Sequence, residues 1–438
     1  MIIFILLVFV LILYSLFSYI LTEPNLVLSS NPLYWNFQLK IWDNFYHNSK
    51  FITSSYILLI VCLFVLYIWV ISILKNRKVE FKLSFKSIYL WAYAAIILPL
   101  LLSYNALSHD IFNYVFNARM VLKWGYNPHI KSAIDFVQID DWTRFMHNIH
   151  TTAPYGYGWT VLSLIPSYLG FEKLLATLFS FKLLMLLSML FLYFALQHLS
   201  KTLNKRSLYL YELALVFLNP LLLIEVVSNY HNDLWMMAPA VLAVSMILRL
   251  MQPELLKRDL RKKVLYFLMA CVLLLFSVSI KLVTVVLVPL FIFAFAFVFF
   301  LDKYSSLIKK RFNIPIPQQF ISTGLLFIST WIEKYIPSII AFMLFIPLLT
   351  QRSQQFLPWY FLWILVWVPF IKNKTFKMVI LLFSISSLLR YVPWLNNSFE
   401  YTDEVQLQSR VITWIIPILY IFTNIKDATK NIKKIGRM

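Results

Sequence analysis

A chain of 438 residues that is 61% hydrophobic and only 13% charged cannot present a water-soluble surface, since soluble domains carry about 25% charged residues. Its mean hydropathy of +0.75 points to an all-α, polytopic membrane protein. The net charge of +20 would suggest nucleic acid in a soluble protein, but the basic residues fall in short clusters between apolar runs, as in cytoplasmic membrane loops; membrane lipids, and no nucleic acid, are the expected partners.

A hydrocarbon core needs about 20 apolar residues per helix. In chain order the runs 1–21, 51–74, 88–107, 174–199, 208–227, 233–250, 264–281, 282–301, 338–350, 358–371, 377–394 and 410–424 give about 12 transmembrane helices, of which 338–350 and 358–371 are short. The first lacks a basic leader and a small-residue cleavage site and reads as a retained helix. Cys62 and Cys271 sit inside apolar runs, which disfavours a disulfide or a cysteine zinc site. Placing Lys75–Lys86, Lys201–Arg206, Lys257–Lys263, Lys303–Arg311, Lys372–Lys377 and Lys426–Arg437 in the cytoplasm gives a consistent alternation. The segments 22–50, 108–173 and 395–409 then lie outside. Tyr157–Leu169 is apolar enough to cross, but crossing would put Lys201–Arg206 outside, so it reads as an interfacial or dipping helix. The stretch 313–337 is interrupted by Glu333 and Lys334. The expectation is one membrane domain over 1–438, with interfacial helices in the outer loop 108–173 and a basic cytoplasmic tail at 425–438.

Polar residues mark where chemistry can occur. On a helix starting near Asp110, Asp110, Asn113, Tyr114 and Asn117 share one face by i,i+3 and i,i+4 spacing. Ile111, Val115, Ala118 and Leu122 share a second, and Phe112, Phe116, Arg119 and Lys123 a third, suited to snorkelling at headgroup level. Asp110 is a functional candidate or a plain helix cap. Gly125-Tyr126-Asn127-Pro128 is a turn signal that ends this helix. Glu225 is an ionisable residue near the end of an apolar run, hence a functional candidate. His231-Asn232-Asp233 forms a tight turn on the same side as Asp110, where Asn232 or Asp233 could be a cap. Lys281 stands alone between two apolar runs and either meets a lipid phosphate or snorkels. Arg352 suits phosphate by its fork, and Trp359 and Tyr360 either stack on sugar or anchor the interface. Asp140-Asp141 is a possible cation site, though adjacent exposed acids are usually only a solvated loop. No Gly-rich phosphate loop and no metal-type His/carboxylate motif is present, so no cofactor or metal is expected.

In order along the chain, Asp110 to Pro128, Pro154-Tyr155-Gly156, Asn219-Pro220 to Asp233, Lys281 and Pro358-Trp359-Tyr360 resemble the GT-C superfamily. Most closely they resemble bacterial polyprenol-phosphate-mannose-dependent mannosyltransferases. The resemblance implies an inverting hexosyl transfer, mannose favoured, at the outer membrane face. The donor would be a polyprenyl-phosphate sugar and the acceptor a glycan or glycolipid. Asp110 would be the general base. Arg119, Lys281 and Arg352 would hold the donor phosphate. Asn113, Tyr114, Asn117, Asn127, Tyr155, Glu225, His231, Asn232, Asp233, Trp359 and Tyr360 would contact sugar or acceptor. The competing classes are a transporter or flippase of lipid-linked sugars and a polysaccharide polymerase. A transporter should carry ionisable groups at the midplane of several spans, whereas here they gather toward one face.

Overall fold

The computed structural model describes residues 2–22, 29–252, 259–299, 331, 334–350 and 356–435, with side chains to 424. Arg352, Lys303–Arg311, most of 313–337 and the side chains of the basic tail lie outside what is described. In chain order the helices are α1 (Ile2–Leu21), α2 (Pro32–Ile41), α3 (Ser49–Lys75), α4 (Ile88–Leu101), α5 (Asp110–Leu122), α6 (Tyr157–Leu169), α7 (Leu174–Leu203), α8 (Leu210–Phe217), α9 (Pro220–Ser228), α10 (Asp233–Leu250), α11 (Leu260–Ile280), α12 (Leu282–Phe299), α13 (Lys334–Leu349), α14 (Pro358–Phe370), α15 (Lys374–Asn396) and α16 (Asp403–Asn424). Among the described residues the extended pairing is a single antiparallel bridge, Glu80 to Tyr209.

Among the described residues each run expected to cross contains helix, although that of 88–107 ends at Leu101. Among the described residues eight helices, α1, α3, α7, α10, α11, α12, α15 and α16, are long and apolar enough to span a bilayer. A ninth span is formed if α8 and α9, which meet at 47°, count as one. The bend falls at Asn219-Pro220, where the Asn219 side chain caps the Leu221 N–H at 3.0 Å and proline ends the α8 hydrogen-bond ladder. The expected spans in α4, α13 and α14 are short. In α14, Pro358 and Pro369 sit in the two 3-10 turns that flank Leu362–Leu365. At 13 residues, α6 is about 20 Å long, short of the roughly 30 Å hydrocarbon core.

Lipid is as apolar as leucine, so membrane helices associate through close packing and interhelical hydrogen bonds. The most enclosed span is α10, 83% buried over its apolar window, packed between α7 and α11. Its Ala238, Ala240, Ala243 and Ser245 are fully buried, and small side chains there let the neighbours approach. The Ser245 hydroxyl pairs with His198 Nδ1 of α7 at 2.7 Å. On α3, Leu58, Val61, Val65 and Trp69 are exposed and form a lipid-facing surface.

A buried lysine missed in the sequence ties α4 to α7. The Lys182 Nζ donates to the carbonyls of Leu100 and Ser103 at 2.7 and 2.6 Å. Both carbonyls lie at or just past the C-terminal end of α4, where a cation is favoured. The contact pins the residues from which the chain leads into Asp110.

Candidate active site

The site is built where four chain breaks meet at one end of the bundle: the start of α5, the α9–α10 turn, the α11–α12 break and the start of α14. Asp110 is the first residue of α5, but its side chain does not cap the helix. Its Oδ2 accepts from the Tyr155 hydroxyl at 2.5 Å. Tyr114, on the same face, meets the rings of Tyr155 and Trp159 edge-on at 5.2 and 5.0 Å. Asn113 is buried and Asn117 half-buried on that face. Of the face expected to snorkel, Lys123 is exposed, but Phe112 and Phe116 are buried because the loop 133–147 folds over them. Phe112 stacks on Phe145 at 5.6 Å and Phe116 meets Phe136 at 6.0 Å.

The α9–α10 turn carries most of the polar groups. The end of α9 widens to a π-helical turn over Leu223–Ser228, a feature frequent at functional sites. Tyr230 then takes a left-handed φ of 62°, costly for a bulky residue. This folds the chain back so that the His231 N–H reaches the Glu225 carbonyl at 2.9 Å. The buried His231 ring stacks on Trp359 at 3.7 Å. Its Nε2 lies 3.2 Å from Glu225 Oε2 and its Nδ1 3.8 Å from Asp110 Oδ2, so the imidazole stands between two carboxyl groups. Glu225 is further held by Asn229 at 3.2 Å and by the Tyr391 hydroxyl at 3.1 Å.

Neither Asn232 nor Asp233 acts as a side-chain cap. Asp233 Oδ1 accepts from Lys281 Nζ at 2.8 Å and from the Trp363 indole at 2.6 Å. Its Oδ2 and both amide atoms of Asn232 are buried without a hydrogen-bond partner. A buried polar atom left unpaired costs about 1–3 kcal/mol, so three together are the signature of a place that receives a polar ligand.

Lys281 sits on an extended residue between α11 and the 3-10 start of α12. Its Nζ lies 5.1 Å from the Tyr155 ring centroid and 5.7 Å from that of Tyr360. The loop holding Tyr155 is pressed onto this break: the Gly156 N–H donates to the Ile280 carbonyl at 3.0 Å. A Cβ at Gly156 would come within 2.1 Å of the Ser279 carbonyl oxygen, so only glycine permits this approach.

Burial raises the Asp110 carboxyl above its ordinary range; the Tyr155 hydrogen bond and the Lys281 charge oppose this, and the Asp233 charge adds to it. Burial, then the Lys281 charge, lowers His231 well below its usual value, leaving a neutral imidazole. A carboxylate with raised basicity beside a neutral imidazole and a lysine can accept a proton while a negative charge develops nearby. Among the described residues, no group of three His, Cys, Asp or Glu side chains is placed to hold a metal ion.

The structure thus brings together Asp110, Tyr114, Tyr155, Glu225, His231, Asn232, Asp233, Lys281, Trp359 and Tyr360. It does not bring Arg119 to them. That guanidinium is bound to Asp140 at 2.6 Å and lies over the Trp142 ring at 4.1 Å. Asp140 is therefore no solvated acid: it is buried and also accepts from the Trp124 indole and the Trp142 N–H. Asn127 serves its turn, accepting from the His129 N–H at 2.9 Å. Trp359 is no interface anchor, being 6% exposed. Trp363 and Tyr391 were missed. Trp363 lies one helical turn beyond Trp359 and could have been found by that spacing. Tyr391 is 166 residues from Glu225, and no local pattern signals it.

A family model, MptA_B, described as alpha-(1->6)-mannopyranosyltransferase, N-terminal domain, matches residues 21–297. That is more than half of the chain and takes in every site residue from Asp110 to Lys281. No curated protein and no solved structure matches the chain.

Proposed function

The chain belongs to the MptA_B family of alpha-(1->6)-mannopyranosyltransferases and is a multi-pass membrane hexosyltransferase of the mannosyl class; from that premise we propose that it moves mannose from a polyprenyl-phosphate donor to a glycan or glycolipid acceptor, with inversion, at the outer membrane face. The observation that carries this is the Asp110 carboxylate, bonded to Tyr155, facing neutral His231, with Lys281 against the same Tyr155 ring.

Asp110 removes the proton from the acceptor hydroxyl as its oxygen attacks the anomeric carbon. The bond from that carbon to the phosphate oxygen breaks, and the phosphate leaves with the electron pair. Its growing negative charge is met by Lys281, which keeps two N–H donors beyond the one given to Asp233. A lone base with no second carboxyl acting as nucleophile fits single displacement, hence inversion. Asn232 and the free oxygen of Asp233 supply hydrogen bonds for sugar hydroxyls, and Trp359 a ring wall. A lipid donor is supported by the lack of a nucleotide loop and by helix ends that let a prenyl tail lie in the bilayer. The outer face is supported by the basic clusters, which follow the far ends of α7 and α10.

The test is to incubate the purified full chain with a panel of polyprenyl-phosphate sugars and an acceptor glycan extract. Polyprenyl-phosphate mannose should be consumed and its hexose transferred. Consumption of a nucleotide sugar instead would overturn the donor assignment.

A further inference from the structure

A second cationic site lies away from Lys281, between α15 and α16. Arg390 is only 8% exposed. Among the described residues its side chain makes one hydrogen bond, a long one of 3.4 Å from Nη1 to the Thr413 hydroxyl. Arg410 is close enough for its charge to act on Arg390, and its Nε is enclosed without a partner. The two helices are clasped here by the Ser409 hydroxyl, which donates to the Arg390 carbonyl at 3.1 Å. Among the described residues no carboxylate comes within ion-pair distance of either arginine. Glu404, on the first turn of α16, is bonded to Gln408.

Two guanidinium groups held together without an anion are unfavourable twice over, by desolvation and by mutual repulsion. Arginine at a membrane surface usually escapes by snorkelling to water, but the burial of Arg390 rules that out. Arg390 lies six residues before the end of α15 and Arg410 seven residues into α16. Arg390 closes the helical run Lys374–Leu389, so both arginines stand toward the end at which α15 finishes and α16 begins.

One to two helical turns further along α15 and α16 begins an apolar cavity of about 380 Å³ between α13, α14, α15 and α16. Its walls include Phe342, Phe345, Phe383, Trp414 and Ile418. Trp414 is one helical turn from Arg410, and Phe383 two turns from Arg390. A cationic fork above an apolar groove matches the shape of a lipid with a phosphate head. We propose that Arg390 and Arg410 bind the phosphate of an anionic lipid whose chain lies in this groove, independently of the Asp110 site.

The test uses delipidated full-length protein in a neutral detergent, with dioleoyl phosphatidate, dioleoyl phosphatidylcholine and inorganic phosphate as probes, read by native mass spectrometry and by the melting temperature. Phosphatidate should bind saturably, at least tenfold tighter than phosphatidylcholine or inorganic phosphate. Arg410→Gln, at a half-exposed position where folding should survive, should weaken it at least tenfold. Arg410→Lys should recover part of the loss, and Phe383→Trp should weaken binding by filling the groove. Equal affinity in wild type and Arg410→Gln would overturn the proposal. So would no saturable phosphatidate binding, or inorganic phosphate binding as tightly as the lipid.

Discussion

At the scale of single residues, the site is organised around what each carboxyl group is left to do. Asp233 is paired with Lys281 and hydrogen-bonded by the Trp363 indole, and Glu225 is tied to Asn229 and Tyr391, while Asp110 has one hydroxyl donor and an open side. Asp110→Asn keeps an oxygen for Tyr155 but removes the basic function. Transfer should fall by at least about 10²-fold with an unchanged melting temperature, and full activity in this variant would refute the assignment. Burial raises the Asp110 carboxyl and Tyr155 restrains that rise. The acid limb of kcat/KM should therefore lie above the ordinary Asp value of 3.8, activity falling as Asp110 takes up its proton. Tyr155→Phe removes the restraint, so the limb should move to still higher pH. A limb that stays put would mean that another group sets it. Lys281 has a double duty. Removing its charge leaves Asp233 buried and unpaired, and breaking such a pair costs about 3–5 kcal/mol. Lys281→Gln retains a donor for Asp233, so it should raise the donor KM at least tenfold while the fold persists. An unchanged donor KM would remove lysine from the phosphate site.

At the scale of elements, each functional side chain comes from a place where regular helix fails: a first turn, a π-helical end followed by a left-handed residue, an extended residue between two helices, a proline-started 3-10 turn. This explains what the sequence disclosed. The shared face of Asp110 and Tyr114, the tight turn at His231 and the isolation of Lys281 are all local patterns, and each was legible. Partners distant in sequence were not. Arg119 looked free because nothing nearby in sequence announces Asp140, and Trp359 looked like an interface anchor because its partner is His231, far back in the chain. About twelve spans were expected, whereas among the described residues eight helices, or nine spans with α8 and α9 joined, are long and apolar enough to cross; the membrane character was legible, but the lengths of α4 and α14 depend on prolines and contacts within the fold. Gly156 is the hinge between these scales, since its missing side chain lets the Tyr155 loop rest on the Ser279 carbonyl. Gly156→Ala should cost about 1–3 kcal/mol by overpacking and draw Tyr155 away from Asp110. A lower melting temperature together with a reduced kcat is expected. A stability loss with unaltered kcat would show that Tyr155 is positioned by something else.

At the scale of the whole molecule, the alternation of helices decides which side of the membrane does the chemistry. α7 begins beside α6 and ends at Lys201–Arg206, and α10 begins at Asp233 and runs to the loop that leads to Arg261–Lys263. Both therefore carry the site at one end and positive charge at the other. Since cytoplasmic loops retain lysine and arginine, the proposed function expects the Asp110 end outside, where a lipid-linked donor rather than a soluble nucleotide sugar would supply mannose. The segment 123–156 is the largest piece of chain at that end, and Asp135 on it is exposed. Cys62 and Cys271 lie within α3 and α11 and are half-buried, so they should react slowly with a charged thiol reagent. Asp135→Cys should accordingly be labelled by a membrane-impermeant maleimide in intact cells, to the same extent before and after lysis. Labelling that requires lysis would place Asp110 in the cytoplasm, and with it the whole donor argument would turn toward a soluble sugar nucleotide.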